Sequence, residues 1–165
     1  MSDLPAGVHA VVITASTRAS KGVYDDVSGD LLDESLTEMG FRVTRVLLPD
    51  DQQRLTEAIS TAVGDHADLI VTTGGTGLSP TDITPEATAP IITKPVPGVA
   101  EAIRSYGATK SPYAAMSRGL SGVAGGTFIV NLPGSKGGAK DGIAVLTPLL
   151  PHIISQLRGG DHPRS

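Results

Sequence analysis

The sequence contains no cysteine and no tryptophan, and only 3% of its 165 residues are aromatic. The first absence removes disulfides, thiolate metal ligands and cysteine nucleophiles. It is what a reducing compartment permits, and a cytoplasmic protein is expected. The scarcity of rings argues against the stacking platforms that hold single-stranded nucleic acid. No stretch approaches the roughly 20 apolar residues needed to cross a bilayer. The opening, MSDLPAGVHAVVITAS, has no basic first segment and too short an apolar run for a signal peptide. Formal net charge is −4, so no global positive field draws in nucleic acid or anionic lipid. Neither nucleic acid nor membrane is therefore expected as a partner. The four histidines, His9, His66, His152 and His162, are scattered without metal-binding spacing and read as structural or surface residues.

What is abundant is glycine, 20 residues, together with Val, Ile, Leu and Ala. A chain of this length forms one domain, 1–165, and can bury about two-thirds of its unfolded surface. Its ends, 1–7 and 160–165, are expected to be flexible. Val8 to Thr14 reads as a buried strand, followed by a Ser/Thr/Gly-rich loop from Ala15 to Tyr24. A helix from near Asp25 to Met39 ends at Gly40, and Phe41 to Leu48 forms the next strand. Asp50 or Asp51 can cap a helix ending near Gly64, with Gln53 placed as in a capping box to Asp50. Leu69 to Thr73 is a third strand. Thr84-Pro85-Glu86 reads as a cap, a first-turn proline and a favourably placed acid. Thr93 to Gly98 breaks the chain, and short helices are expected over Val99 to Tyr106 and Tyr113 to Arg118. Ser121 to Ala124 and Thr127 to Leu132 form a hairpin around Gly125-Gly126, then a glycine-rich turn leads into a helix from Ala139 to Leu157. This alternation predicts a three-layer α/β/α fold, its sheet mainly parallel with a late antiparallel hairpin. In such sheets ligands sit beyond the carboxyl ends of the strands. Those ends carry the loops 15–24, 49–51, 74–82 and 133–138.

The sharpest local pattern is Gly74-Gly75-Thr76-Gly77 after the third strand. It reads equally as an anion-binding nest of exposed N–H groups and as a tight turn needing positive φ. It matches neither the dinucleotide fingerprint nor the Walker loop. Asp82 follows it, a turn or capping residue on one reading and a Mg²⁺ ligand against phosphate on the other. Asp50 lies on the same side and also fits a helix cap. Arg118 offers a fork for phosphate, although such a residue is more often an ion-pair partner. Asn131 and Pro133-Gly134-Ser135 add donors after the last strand, where Pro-Gly is more often a plain turn.

Taken in order, Thr73-Gly74-Gly75-Thr76-Gly77, Asp82-Ile83-Thr84-Pro85-Glu86-Ala87, Pro97-Gly98, Ser117-Arg118 and Asn131-Leu132-Pro133-Gly134-Ser135 resemble the molybdenum-cofactor biosynthesis domain family. That family includes the molybdopterin adenylyltransferases and gephyrin-like domains, and the resemblance runs from about residue 8 to 158. It implies transfer of AMP from ATP to molybdopterin, with pyrophosphate released and Mg²⁺ assisting. By the same resemblance Asp50 and Asp82 are the catalytic and metal-binding carboxylates. Gly74, Gly75, Thr76, Gly77, Pro133, Gly134 and Ser135 bind nucleotide or phosphate. Ser117, Arg118 and Asn131 bind the pterin. A homotrimer and hand-over to a molybdate-inserting protein are also implied. The alternatives are a non-catalytic molybdopterin-binding or scaffolding paralogue and a general phosphosugar or nucleotide binder, which needs only the glycine loop.

Overall fold

The computed structural model describes residues 4–160. Residues 1–3 and 161–165, most of the expected flexible ends and with them His162, lie outside the described residues. Of the rest of those ends, Leu4 packs against the core and Gly160 donates its N–H to the carbonyl of Ser155.

Six strands form one sheet in the order β2-β1-β3-β6-β5-β4. The strands are β1 (His9–Ala15), β2 (Arg42–Leu48), β3 (Leu69–Thr73), β4 (Lys94–Pro95), β5 (Ser121–Ala124) and β6 (Thr127–Leu132). β1, β2, β3 and β6 run parallel, whereas β5 pairs antiparallel with both β6 and β4. The expected three layers are present. Alternation along the strands divides the core in two, since successive side chains point to opposite faces. Ala10, Val12, Phe128 and Val130 pack with Leu32 and Leu36 of α2 (Val27–Met39), Val99 and Ile103 of α5 (Pro97–Ala108) and Leu146 and Leu150 of α6 (Lys136–Leu157). Val11, Ile13, Ile70 and Ile129 pack on the other face with Leu55 and Ile59 of α3 (Gln52–Gly64) and Ala87 of α4 (Thr84–Thr88). No helix among the described residues is long and apolar enough to cross a membrane.

The chain leaves β1 for β2 through α2 and reaches β3, on the far side of β1, through α3. The connections therefore diverge from the carboxyl ends of β1 and β3, where Thr14 stands opposite Thr73. Such a divergence opens a crevice that no helix fills.

Several local expectations are corrected. The loop after β1 holds a short helix, α1 (Thr17–Ser20), because the Ser16 side chain caps it by accepting from Ala19 N–H. Asp51, not Asp50, caps α3 by accepting from Arg54 N–H, and Gln53 bonds Glu57 instead of closing a capping box. α4 begins with Thr84 itself, and the Thr84 hydroxyl donates to the carbonyl of Gly74 instead of capping. The proline-broken segment contributes edge strand β4, where Pro95 is tolerated beside open solvent. Pro112–Met116 is a 3₁₀ turn rather than an α-helix. The glycine-rich turn after β6 is the first turn of α6, capped by the Ser135 hydroxyl on Gly138 N–H.

Candidate active site

The four loops singled out at the strand ends line one cavity of about 950 Å³. Its floor is the end of β3. Gly74 and Gly75 have φ of 95° and 69°, the left-handed region glycine tolerates. The loop is fixed from beneath: Gly74 N–H donates to Leu132 O, Thr84 N–H to Gly75 O, and the Thr84 hydroxyl to Gly74 O. These bonds leave the N–H groups of Gly75, Thr76 and Gly77 without a partner among the described residues. The turn Pro133-Gly134-Ser135 packs directly on the loop, so that a Cβ on Gly134 would lie 3.1 Å from Gly74 Cα. Just beyond it the first turn of α6 presents the unpartnered N–H groups of Lys136 and Gly137. A 22-residue helix with no acid in its first turn ends in partial positive charge there. Two sets of free donors thus face one crevice.

Five aspartates line the cavity: Asp25, Asp26, Asp50, Asp82 and Asp141. Asp26 is saturated, since one oxygen receives the Thr14 hydroxyl and Arg45 at 2.7 Å each, and the other caps α2 through Gly29 N–H. Asp141 holds Lys110 at 2.8 Å, and both this pair and the Tyr106 hydroxyl hold the Lys110 ammonium above its ordinary pKa. Asp50 accepts only through Oδ2, from the N–H and hydroxyl of Thr17. Asp82 also accepts only through Oδ2, from Ser79 N–H. Each keeps Oδ1 without a partner among the described residues. The two aspartates singled out from sequence are therefore ones the fold leaves with a free oxygen. Among the described residues no group of three or more His, Asp or Glu could hold a metal. That donor set does not suit a metal caged by protein. It does fit Mg²⁺, which takes one or two carboxylates and draws its remaining ligands from phosphate and water.

Ser117 lines the cavity; Arg118 and Asn131 do not. Arg118 Nε donates to Gly77 O at 2.8 Å, one terminal nitrogen donates to Asp82 O at 3.0 Å, and both terminal nitrogens grip Glu86. The guanidinium thus binds the chain rather than an open space, and it holds the Glu86 carboxyl below its ordinary range. Asn131 is buried, accepting from Leu120 N–H and donating to the hydroxyls of Thr72 and Thr88. Both residues brace the walls.

A further wall escaped the sequence reading. It comes from the end of α5 and the 3₁₀ turn and carries Lys110, Tyr113 and Met116. Tyr24 lies on the rim from the first loop, and Lys136 and Lys140 from α6. Tyr113 is 76% exposed and Tyr24 54%, unusual for rings in a chain with so few. Lys136 beside Gly137-Gly138 was the one available signal, a cation next to a glycine-rich turn.

Comparison with known proteins now adds to this geometry. Residues 11–152 match the family model described as "Probable molybdopterin binding domain". The chain is 40% identical over 158 residues to a molybdenum cofactor biosynthesis bifunctional protein of Synechococcus elongatus, covering 95% of this chain and 50% of that one. It is 33% identical over 156 residues to a molybdopterin adenylyltransferase of Helicobacter pylori, covering 92% and 89% respectively. The chain spans half the length of the bifunctional relatives it matches. Among solved structures, the molybdopterin biosynthesis Mog protein of Mycobacterium ulcerans superposes with a TM-score of 0.88 at 45% identity, covering 92% of this chain and 99% of that one.

Proposed function

The chain belongs to the molybdopterin-binding domain family of molybdenum-cofactor biosynthesis, and on that premise we propose that it is a molybdopterin adenylyltransferase. The reaction moves AMP from ATP to the terminal phosphate of molybdopterin and releases pyrophosphate. One observation carries the reading: two carboxylates with free oxygens and two sets of unpaired N–H groups converge on one cavity.

An oxygen of the pterin phosphate attacks the α-phosphorus of ATP. A P–O bond forms as the bond to the bridging oxygen breaks, and the electron pair departs on pyrophosphate. Both substrates are already anions, so no base is needed to remove a proton. The obstacles are mutual repulsion and alignment, which positioned donors overcome. The N–H groups of Gly75, Thr76 and Gly77 receive one phosphate cluster, and those of Lys136 and Gly137 another. The ammonium groups of Lys136 and Lys140 offset the combined charge. Ser117 offers a hydroxyl, and Tyr24 and Tyr113 offer faces for planar heterocycles. Mg²⁺, held by Asp50 and Asp82, would supply further charge neutralisation on the transferring phosphates. A cytosolic location, a homotrimer and hand-over of product to a molybdate-inserting protein accompany this reading. Sedimentation equilibrium tests the trimer, and a stable monomer at micromolar concentration counts against it.

The deciding experiment incubates purified protein with molybdopterin, ATP and Mg²⁺ and follows product by mass. An adenylylated pterin is expected. Molybdopterin binding without product would make the chain a binding or scaffolding paralogue instead.

A further inference from the structure

We propose that Arg118 is the positioning residue for Asp82, fixing that carboxylate from behind the cavity rather than contacting ligand. The catalytic consequence rests on the adenylyltransferase reading; the positioning itself does not.

Asp82 ends a loop that the core does not hold. Leu78 is 64% exposed, and Ser79, Pro80 and Thr81 are exposed as well. The bonds within the loop are local ones, Ser79 N–H to Asp82 Oδ2 and Asp82 N–H to Ser79 O. They preserve the loop's own shape but do not tie it to the domain. Arg118 supplies that tie at both ends. Its guanidinium donates to Gly77 O where the loop begins and to Asp82 O where it closes. Its backbone N–H donates to Thr76 O at 2.8 Å, and Glu86, on the helix beyond, holds the fork bidentately.

A planar guanidinium has donors in fixed directions, so a single group sets the separation between Gly77 and Asp82. That separation matters because the carboxylate lies close against Gly77: a Cβ there would be 2.7 Å from Asp82 Oδ2. Lysine carries the same charge on one rotatable ammonium and cannot reproduce two carbonyl contacts and a bidentate carboxylate together. The adjacent Ser117 faces the cavity, so Arg118 also locks the Ser117 wall to the Asp82 wall through consecutive residues. The free N–H groups of Gly75 to Gly77 and of α6 are held by other bonds. Substrate affinity therefore does not depend on the fork, whereas the placement of Asp82 does.

Arg118→Gln, Arg118→Lys and Glu86→Gln are compared with the parent protein by amide hydrogen exchange, ATP affinity and turnover. In Arg118→Gln, exchange over residues 77–83 should rise about tenfold while β6 is unchanged. The rate kcat should fall by about tenfold or more, with the Kd for ATP within about threefold of the parent. Arg118→Lys should not rescue it, and Glu86→Gln should give a smaller change of the same sign. A Kd raised about tenfold with loop exchange unchanged would make Arg118 a ligand contact and overturn the proposal. So would normal exchange and normal kcat together. Should Arg118→Gln fail to fold, Glu86→Gln carries the test, and unchanged loop exchange there overturns it. Should the parent protein show no adenylyl transfer, the functional reading fails while the exchange data still decide the positioning.

Discussion

Thr17 and Asp50 clasp one another: the threonine hydroxyl donates to Asp50 Oδ2 at 3.1 Å and accepts the Asp50 N–H at 3.0 Å. A hydroxyl gives and receives at once, which valine of the same shape cannot do. Thr17→Val should therefore lower stability by about 1 kcal/mol and reduce kcat more than ATP affinity, and Thr17→Ser should restore both. Thermal melts beside turnover check this. An unaltered rate in the valine variant would detach Asp50 from the chemistry.

Asp82→Asn should abolish turnover while leaving the fold in place. Asp82 is not the cap of α4, which has no side-chain cap, and an amide can still accept from Ser79 N–H. What the change removes is negative charge at the cavity. A rate loss of about a hundredfold or more, roughly 2.7 kcal/mol of transition-state stabilisation, is expected. Near-normal turnover with a lowered melting temperature would leave Asp82 a loop-shaping residue only.

Gly75 and Gly137 should respond oppositely to alanine. At Gly75 φ is 69°, and a Cβ would collide with the buried Thr84 hydroxyl. Gly75→Ala should cost about 2–3 kcal/mol of stability. The contact with Thr84 makes this a folding defect before it is a binding one. At Gly137, in the first turn of α6, a Cβ meets nothing within 4 Å. Gly137→Ala should stabilise by about 0.5–1 kcal/mol and preserve the N–H. Denaturant titration of the two variants measures the contrast.

Asn131→Leu separates bracing from pterin binding. It strands the hydroxyl of Thr72 and the N–H of Leu120 and removes a donor to the Thr88 hydroxyl, which keeps its own bond to Thr84 O. A loss of about 3 kcal/mol is expected. Molybdopterin affinity of the fraction that remains folded should be close to normal. A selective loss of pterin binding with stability intact would return Asn131 to the ligand site.

The Glu86–Arg118 pair gives an acid dependence of definite sign. The hydrogen bond from Arg118 depresses the Glu86 pKa in the folded protein. The unfolded chain therefore binds this proton more readily, and the pair's contribution is fully present above the ordinary carboxylate range. It is lost as pH falls through the depressed value. Exchange of residues 77–83 should rise over that window in the parent protein and be flatter in Glu86→Gln. Parallel profiles for the two would show that the pair does not order the loop.

The strands that build the floor were plain in sequence because their signals are local. Leu69 to Thr73 is an unbroken apolar and β-branched run, and the hairpin at Gly125-Gly126 announces itself by its turn residues. Asp50 and Asp51 were indistinguishable as caps until the geometry gave the cap to Asp51 and left Asp50 for Thr17. The start of α6 was hidden because Gly137 and Gly138 are poor helix formers; helix there depends on the Ser135 cap. Arg118 and Asn131 were visible as polar residues, but the partners of their side chains, Leu120 apart, lie 32–59 positions away in the chain. Long-range partners of that kind leave no local pattern. The Lys110 and Tyr113 wall left none either, since it joins the site only when α5 folds back beside α6.

The close approach of Gly134 to Gly74 has a consequence for how such a protein can change over generations. Where these two loops meet, the donors facing the cavity are main-chain N–H groups, which every residue but proline supplies. On the adenylyltransferase reading, the floor that receives phosphate is therefore nearly invisible to selection by substitution, except through proline and through glycine losses that disrupt folding. The rim is the opposite, a set of side chains on loops and a helix end. On the same reading, drift in preference among phosphorylated ring compounds runs through rim side chains such as Tyr24, Tyr113, Met116, Lys136 and Lys140, while the main-chain floor stays as inherited.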